Sequence, residues 1–188
     1  RAQFKEVRAL DREDARLRKL DEVLNRTNPG PGGYYDSLGD PASARRIVND
    51  VLWADDPGTL KSPRTTFYYD VSHPKDAELP LAWKKQVRTV YETPLRLTYD
   101  HLDPNATYSV RATYSGRTSK QMRLVANGSI PVAERIENRN PPMQEFAIPA
   151  EATKGGRLEL MWSCGEGQPG CEVAEVWLIK HPGDAGSR

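Results

Sequence analysis

Short runs in which apolar and polar side chains alternate dominate this chain from residue 67 onward. They occupy residues 67–72, 94–100, 108–114, 121–126, 145–148, 157–163 and 172–180. In one of them, Tyr108, Val110 and Ala112 fall on the same side of an extended chain. Such alternation is typical of antiparallel strands with one face on a core. Turn signals such as Asn-Gly separate the runs, so the sequence predicts a mostly β fold, an antiparallel β-sandwich of the jelly-roll kind.

One N-terminal segment, residues 3–25, carries a helical pattern instead. Its apolar residues recur at steps of three, four and their multiples, at Phe4, Val7, Leu10, Leu17, Leu20 and Leu24. The segment predicts one α-helix, which either packs on the domain as a surface helix or connects it to a preceding domain. We therefore expect a helix or linker over 1–27, a β-sandwich over 28–180 and a disordered tail over 181–188, with 129–144 as a long loop.

Composition limits the classes of partner. The 188 residues contain 27 basic and 26 acidic side chains, a net charge of +1, so nothing favours nucleic acid or an anionic membrane as a partner. No apolar run approaches the roughly 20 residues of a membrane span. Because the chain opens at Arg1 without a signal peptide, we expect a mature or excised piece of a longer protein. Sequons at Asn25, Asn105 and Asn127 are a hint of a secreted protein.

The two cysteines lie at the ends of the stretch CGEGQPGC. A zinc site of the finger type needs four ligands, and no second Cys/His pair is present. Cys164 and Cys171 are separated by six turn-forming or polar residues, which predicts a disulfide across a hairpin loop. The alternative is two unpaired thiols at opposite ends of that loop.

A Gly- and Pro-rich loop, TNPGPGGYYDSLGDP at residues 27–41, follows the helix. It lacks the Lys of a phosphate-binding loop, and its prolines remove amide donors that an anion site requires. The loop is instead a stiff turn that delivers Tyr34, Tyr35 and Asp36 to a defined place. Either a tyrosine is a buried anchor, or one ring is exposed as a sugar-stacking surface with Asp36 accepting a sugar hydroxyl.

Other candidate ligand residues lie in loop-like segments. Tryptophans in such segments are candidates for exposed aromatic surfaces, and an arginine is a polar partner for a sugar. The predicted ligand-binding set is Tyr34, Tyr35, Asp36, Trp53, Arg64 and Trp83.

Catalytic motifs are not visible in the sequence. His73, His101 and His181 occur in no metal-binding or triad spacing. Loop aspartates leave open a carboxylate pair for acid–base chemistry, and also a structural calcium site, but no Asp-x-Asp-x-Asp-Gly run is present. No cofactor is expected.

One corner invites a family comparison. The stretch from Leu102 to Arg111, LDPNATYSVR, resembles the L-x-P-x-x-x-Y corner of fibronectin type III-like sandwiches, in which the tyrosine hydroxyl ties a strand connection. The later strands, ending in GRLELMWSC and EVAEVWLIK, are more similar to galactose-binding-like or malectin-like jelly rolls. This resemblance covers residues 28–180 and implies an accessory module of a large secreted carbohydrate-active protein, without transferring ligand residues.

Three functions are compatible with these features. The favoured one is a non-catalytic carbohydrate-binding or accessory module that acts beside a catalytic domain of the same parent protein, with a polysaccharide as its ligand. The second is a purely structural domain that braces such a partner through an apolar surface on the helix. The third is a glycan-cleaving enzyme that uses two carboxylates.

Overall fold

The computed structural model describes residues 2–40, 42–67, 84–114, 121–137 and 143–182. Within these residues, two helices precede ten strands, and the strands form two antiparallel sheets. The elements are α1 Ala2–Ala9, α2 Glu13–Asn25, β1 Tyr34–Ser37, β2 Arg64–Phe67, β3 Lys85–Arg88, β4 Leu95–Tyr99, β5 Thr107–Tyr114, β6 Gln121–Ala126, β7 Ile130–Glu137, β8 Met143–Ile148, β9 Leu158–Cys164 and β10 Glu172–His181.

The strand order is that of a jelly roll. The large sheet runs β2-β3-β10-β5-β8, with β1 also pairing with β10, and the small sheet runs β4-β9-β6-β7. The eight strands from β3 to β10 are divided between the two sheets, in the orders β3-β10-β5-β8 and β4-β9-β6-β7. This is the double Greek key arrangement of jelly rolls. The predicted fold, a mostly β sandwich with helical structure at its N-terminus, is confirmed.

The core lies between the two sheets, where the alternating runs place their apolar side chains. In β4, Leu95, Leu97 and Tyr99 are fully buried, while the residues between them reach the outer face. Trp162 of β9 is also fully buried, and its indole N–H donates to the Tyr114 hydroxyl at 3.1 Å. Strand β10 is buried on both faces from its first residue through Leu178, as the apolar residues on both of its faces predict, and its two glutamates, Glu172 and Glu175, are buried with them.

The predicted tyrosine corner is present. Tyr108 is buried, and its hydroxyl accepts a hydrogen bond of 2.8 Å from the backbone N–H of Asp103. The Asp103 carboxylate in turn accepts from Lys180 on β10 at 2.8 Å. The turn before β5 is thereby fixed against the large sheet.

Two predictions about local structure were wrong. The helix over 3–25 is two helices, because the chain leaves helical geometry between Ala9 and Glu13, with Arg12 extended at φ −97°. The loop over 129–144 contains strand β7, an edge strand in which only Ile136 is fully buried. Of the predicted strand 67–72, only Phe67 lies within the described residues, at the end of β2.

The connection between α2 and the sandwich depends on polar contacts. No residue of α2 is buried. Directly after it, Arg26 places its guanidinium within 2.9–3.0 Å of both carboxylate oxygens of the fully buried Glu175. Tyr35 donates its hydroxyl proton to the same carboxylate at 2.6 Å, and the Trp177 indole donates to the Arg26 carbonyl at 3.0 Å. This cluster attaches the helical segment to the outer face of the large sheet.

Candidate functional site

An open cavity of about 280 Å³ lies where β1 of the large sheet approaches the end of β4 in the small sheet. We call it the Tyr34 cavity. It is lined by Tyr34, Arg45, Arg46, Thr98, Asp100 and His101. Its volume is just below the range of about 300–1,000 Å³ that is usual for small-molecule sites, so it suits one small polar group.

Backbone pairing brings the two arginines to this place. The segment after the Gly-rich loop runs antiparallel beside β4, where the Thr98 N–H donates to the Arg46 carbonyl at 3.0 Å and the Val48 N–H to the Arg96 carbonyl at 2.9 Å. Ile47 forms a bridge with Leu97 between them. An extra edge of the small sheet therefore presents Arg45 and Arg46 next to Thr98.

The Arg46 guanidinium is held on two sides. It donates to the Asp36 carboxylate at 2.7 Å, and its central carbon lies 4.4 Å from the centre of the Tyr34 ring. The Tyr34 hydroxyl donates to the backbone carbonyl of Asp100 at 2.8 Å, which fixes the ring. A charged pair supported by an aromatic ring positions Arg46 before any ligand arrives.

Asp36 is a fully buried carboxylate behind the cavity. Besides Arg46, it accepts a hydrogen bond from the Tyr99 hydroxyl at 3.1 Å. Burial raises the pKa of Asp36 above its ordinary value, against the lowering effect of Arg46 and Tyr99. This carboxylate is out of reach of solvent, and its structural part is to hold Arg46 in place.

The raised pKa of Asp36 predicts a pH dependence. Asp36 binds a proton more tightly in the folded state than in the unfolded state, where its pKa is about 3.9. Its contribution to the free energy of unfolding is therefore greatest below about pH 3.9 and falls as pH rises through the raised pKa of the folded state. Compared with Asp36→Asn, the wild type should lose unfolding free energy as pH increases through that window. Denaturant unfolding of both proteins at several pH values measures this, and parallel curves would contradict it.

The outer wall of the cavity offers accessible donors and acceptors. Asp100, His101 and Arg45 are exposed or half-exposed. The Asp100 carboxylate forms an ion pair with Arg157 at 3.5 Å. Both side chains of this pair are exposed, so the carboxylate remains in contact with solvent. His101 has a left-handed backbone, φ +61°, a conformation uncommon outside glycine that recurs at functional sites.

The structure separates the residues predicted to bind ligand. Tyr34 lines the cavity, but Tyr35, its neighbour on β1, contacts Trp177 on the outer face of the large sheet, with the ring centres 5.1 Å apart. In the strand ladder, Arg64 of β2 is opposite Arg88 of β3, which is opposite Glu172 of β10. Tyr34 is opposite Leu178, six residues further along β10, so Arg64 lies about 20 Å from Tyr34.

Two candidate ligand residues are tryptophans. Trp53 begins a short 3-10 helix, Trp53–Asp55. Trp83 lies outside the described residues.

Most cavity residues were missed by the sequence analysis. Arg45, Arg46, Thr98 and Asp100 were not predicted to bind ligand, and His101 was considered only for catalytic motifs. The one available signal was the Arg-Arg pair that follows the Gly-rich loop. The position of these two arginines in the fold depends on the pairing of their segment with β4, about fifty residues later in the chain.

A Ser-His-Glu cluster on the outer face of the large sheet does not have the geometry of a catalytic triad. The Ser109 hydroxyl lies 2.6 Å from the Glu145 carboxylate and 2.8 Å from Nε2 of His181. Its single proton goes to the carboxylate, so Nε2 of His181 must be the donor to the serine oxygen. A histidine that donates to the hydroxyl cannot act as its base.

The predicted disulfide is not formed. The sulfur atoms of Cys164 and Cys171 are 3.4 Å apart, compared with about 2.05 Å in a disulfide, so the two thiols are not joined by a disulfide bond. The backbone of Cys171 is fixed by mutual hydrogen bonds of 3.0 Å with Thr89. The hydrogen bond with Cys164 and burial raise the pKa of the Cys171 thiol, so it resists forming the reactive thiolate.

Within the described part of the chain, no group of three or more His, Cys, Asp or Glu residues is placed to hold a metal ion. Neither described helix has the length and apolarity that crossing a bilayer requires.

Comparison with known proteins gives structural matches only. No protein-family model and no curated protein matches the chain. A chain of the crystal structure of the plant peptide RALF23 in complex with FER and LLG2 is similar, with a TM-score of 0.52, 13% identity, and coverage of 81% of this chain and 49% of that chain. The crystal structure of the ANX1 ectodomain from Arabidopsis thaliana is also similar, with a TM-score of 0.53 and 14% sequence identity, and the match covers 78% of this chain and 47% of that chain.

This likeness concerns the fold. The chain spans about half the length of the chains it matches, and the identities are far too low to carry over a ligand or a partner. What is shared is the β-sandwich, which the sequence resemblance also indicated. The chain therefore has a β-sandwich fold similar to that of the ANX1 ectodomain and of the matched chain in the RALF23 complex.

Proposed function

We propose that this domain is a non-catalytic carbohydrate-binding module of a larger secreted protein, and that it seats a sugar residue in the Tyr34 cavity. In the parent protein it acts beside a catalytic domain and holds that domain near a polysaccharide. The observation that carries the proposal is the pre-positioned Arg46, held 2.7 Å from a buried carboxylate and 4.4 Å from an aromatic ring centre, in an open polar cavity.

The chemistry of the wall favours a polyhydroxyl ligand. A sugar hydroxyl both donates and accepts hydrogen bonds, and the cavity offers guanidinium donors from Arg45 and Arg46 close to the acceptor carboxylate of Asp100. Arg46 already lies over the Tyr34 ring, so we assign Tyr34 the part of supporting Arg46 rather than stacking on the sugar. A shallow polar site of this kind suits weak, reversible binding to one unit of a polymer.

The carboxylates near the cavity favour binding over cleavage. Glycosidic bond hydrolysis requires two carboxyl groups that both reach the bond, one as acid and one as base or nucleophile. Asp100 is accessible, but Asp36 is fully buried and already bonded to Arg46 and Tyr99. The pair therefore supports a module that holds sugar rather than an enzyme that cleaves it.

Replacing Arg45 with alanine tests the proposal. Arg45 lines the cavity, and the described structure gives its side chain no hydrogen bond or ion pair, so its removal should not unfold the domain. A lost hydrogen bond from a charged donor costs about 1.5 kcal/mol, so the affinity should fall about tenfold. Calorimetry with soluble glucan, xylan, mannan and galactan measures this.

The matched control is Arg18→Ala, which removes an exposed arginine of α2 whose ion pair, within the described part of the chain, is with Asp14. It should leave the affinity unchanged. Equal affinities of wild type and Arg45→Ala, or equal losses in both variants, would contradict the assignment of the cavity.

A second candidate function is supported by the helical segment. Phe4, Leu17 and Leu24 are 51%, 56% and 71% exposed, and the last two lie seven residues apart on one face of α2. Exposed apolar side chains on a helix face favour a structural domain that packs this face against a neighbouring domain of the parent protein. Hydrogen exchange of the α2 amides should then be slower in the parent protein than in the isolated chain. Equal exchange rates would exclude this use of the helix.

A further inference from the structure

A second cavity, of about 230 Å³, lies on the outer face of the small sheet. We call it the Arg123 cavity, and its polar lining comes from Gln121, Arg123, Glu134, Arg135 and Ser163. The Arg123 guanidinium donates to the Ser163 hydroxyl at 2.9 Å, which joins β6 to β9, and Arg135 donates to Glu137 at 2.7 Å within β7.

Both cavities open on the same face of the sheet. Residues of β4 and β9 alternate between core and exterior, so Thr98 of the first cavity and Ser163 of the second project outward together. Thr98 of β4 is opposite Glu159 of β9. Ser163 lies four residues after Glu159 on β9 and is opposite Arg123 of β6. Four residues along a strand and two strand spacings across give a separation of about 16 Å between Thr98 and Arg123.

The surface between the cavities has polar and apolar parts. Arg96 of β4 donates to Glu159 of β9 at 2.8 Å and also contacts Asp50. Beside this pair, the half-buried Met161 and Val125 face each other in the ladder of β9 and β6. A sugar ring presents hydroxyls at its edge and C–H groups on its faces, and this surface offers partners for both.

Charge along this path is balanced. Arg46 is paired with Asp36, Arg96 with Glu159 and Asp50, and Arg135 with Glu137. Because most arginines have a carboxylate beside them, the path has little net positive potential to attract a polyanion. Adjacent donors and acceptors instead match hydroxyl groups, which do both.

We propose that an extended neutral glycan chain occupies both cavities and crosses the outer face of the small sheet between them. The proposal rests on the proposed function of the Tyr34 cavity and adds a second subsite at Arg123. Two subsites on one ligand raise the effective concentration for the second contact, so affinity should increase once the ligand is long enough to reach both.

The test is the dependence of affinity on ligand length. Disaccharides and hexasaccharides of the cello-, xylo-, manno- and galacto-series are titrated into the whole chain by calorimetry. A disaccharide is too short to span about 16 Å, so in the series that binds, the hexasaccharide should bind at least about tenfold more tightly. In Arg123→Ala this advantage should disappear, whereas Arg18→Ala should keep it.

The outcomes separate the two proposals. If no series binds, or if binding does not respond to Arg45→Ala, the Tyr34 cavity assignment fails, and with it the second subsite. If a disaccharide binds in an Arg45-dependent way but the hexasaccharide binds no more tightly, only the second subsite is overturned. An oligogalacturonide hexamer that binds more tightly than every neutral hexasaccharide would overturn the neutral character of the ligand.

Discussion

Replacing Arg26 with alanine should lower the free energy of unfolding by about 3–5 kcal/mol, the usual cost of leaving a buried charge without its partner. Glu175 is fully buried, and Arg26 contacts both of its carboxylate oxygens. The remaining contacts of Glu175 include neutral hydroxyls of Tyr35 and Thr113, at 2.6 and 3.4 Å, which do not balance a charge. Urea unfolding followed by tryptophan fluorescence measures the change.

A double variant separates the charge effect from the loss of packing. Arg26→Ala combined with Glu175→Gln removes both charges, so it should be clearly more stable than Arg26→Ala alone. Arg18→Ala, which breaks only an exposed ion pair, should cost less than about 1 kcal/mol. If Arg26→Ala is no less stable than Arg18→Ala, the cluster does not attach the helical segment.

Replacing Gly39 with alanine should cost about 3 kcal/mol, at the upper end of the usual cost of overpacking. A Cβ atom at Gly39 would overlap the carbonyl carbon and the Cβ of Lys85 in β3, and backbone atoms of a paired strand cannot move aside easily. For a chain of this size the melting temperature should fall by about 10 °C. Scanning calorimetry of the purified variant measures it.

The matched control for that variant is Gly155→Ala. An added Cβ at Gly155 meets no atom within 4 Å, so its melting temperature should stay within a few degrees of the wild type. Similar melting temperatures for the two variants would show that the close approach of the Gly39 turn to β3 is not maintained in solution.

The sequence predicted the strands that have one fully buried face. In β4 and β9 every second residue is buried, and that alternation is visible in the residue types. Strand β7 was missed because it is an edge strand with a shifted register, and only Ile136 supplies a fully buried side chain. Strand β1 was hidden because it follows directly on the Gly- and Pro-rich turn.

The candidate site could be predicted only in part. Tyr34 was found because a stiff loop ending in aromatic residues suggested a positioned ring. The arginines were missed because their place depends on a bridge between Ile47 and Leu97, a pairing that no local pattern encodes. Asp36 was expected to contact sugar, and its burial instead makes it the partner of Arg46. Alternation along β1 could have indicated that Tyr34 and Tyr35 face opposite sides.

The most direct test of the central claim is a map of amide chemical shifts during titration with the neutral glycan that binds in calorimetry. We expect the largest shifts at Tyr34, Arg45, Thr98 and His101, around the Tyr34 cavity. Shifts concentrated instead around Tyr35 and Trp177 would contradict the claim, because those residues lie on the opposite outer face of the sandwich.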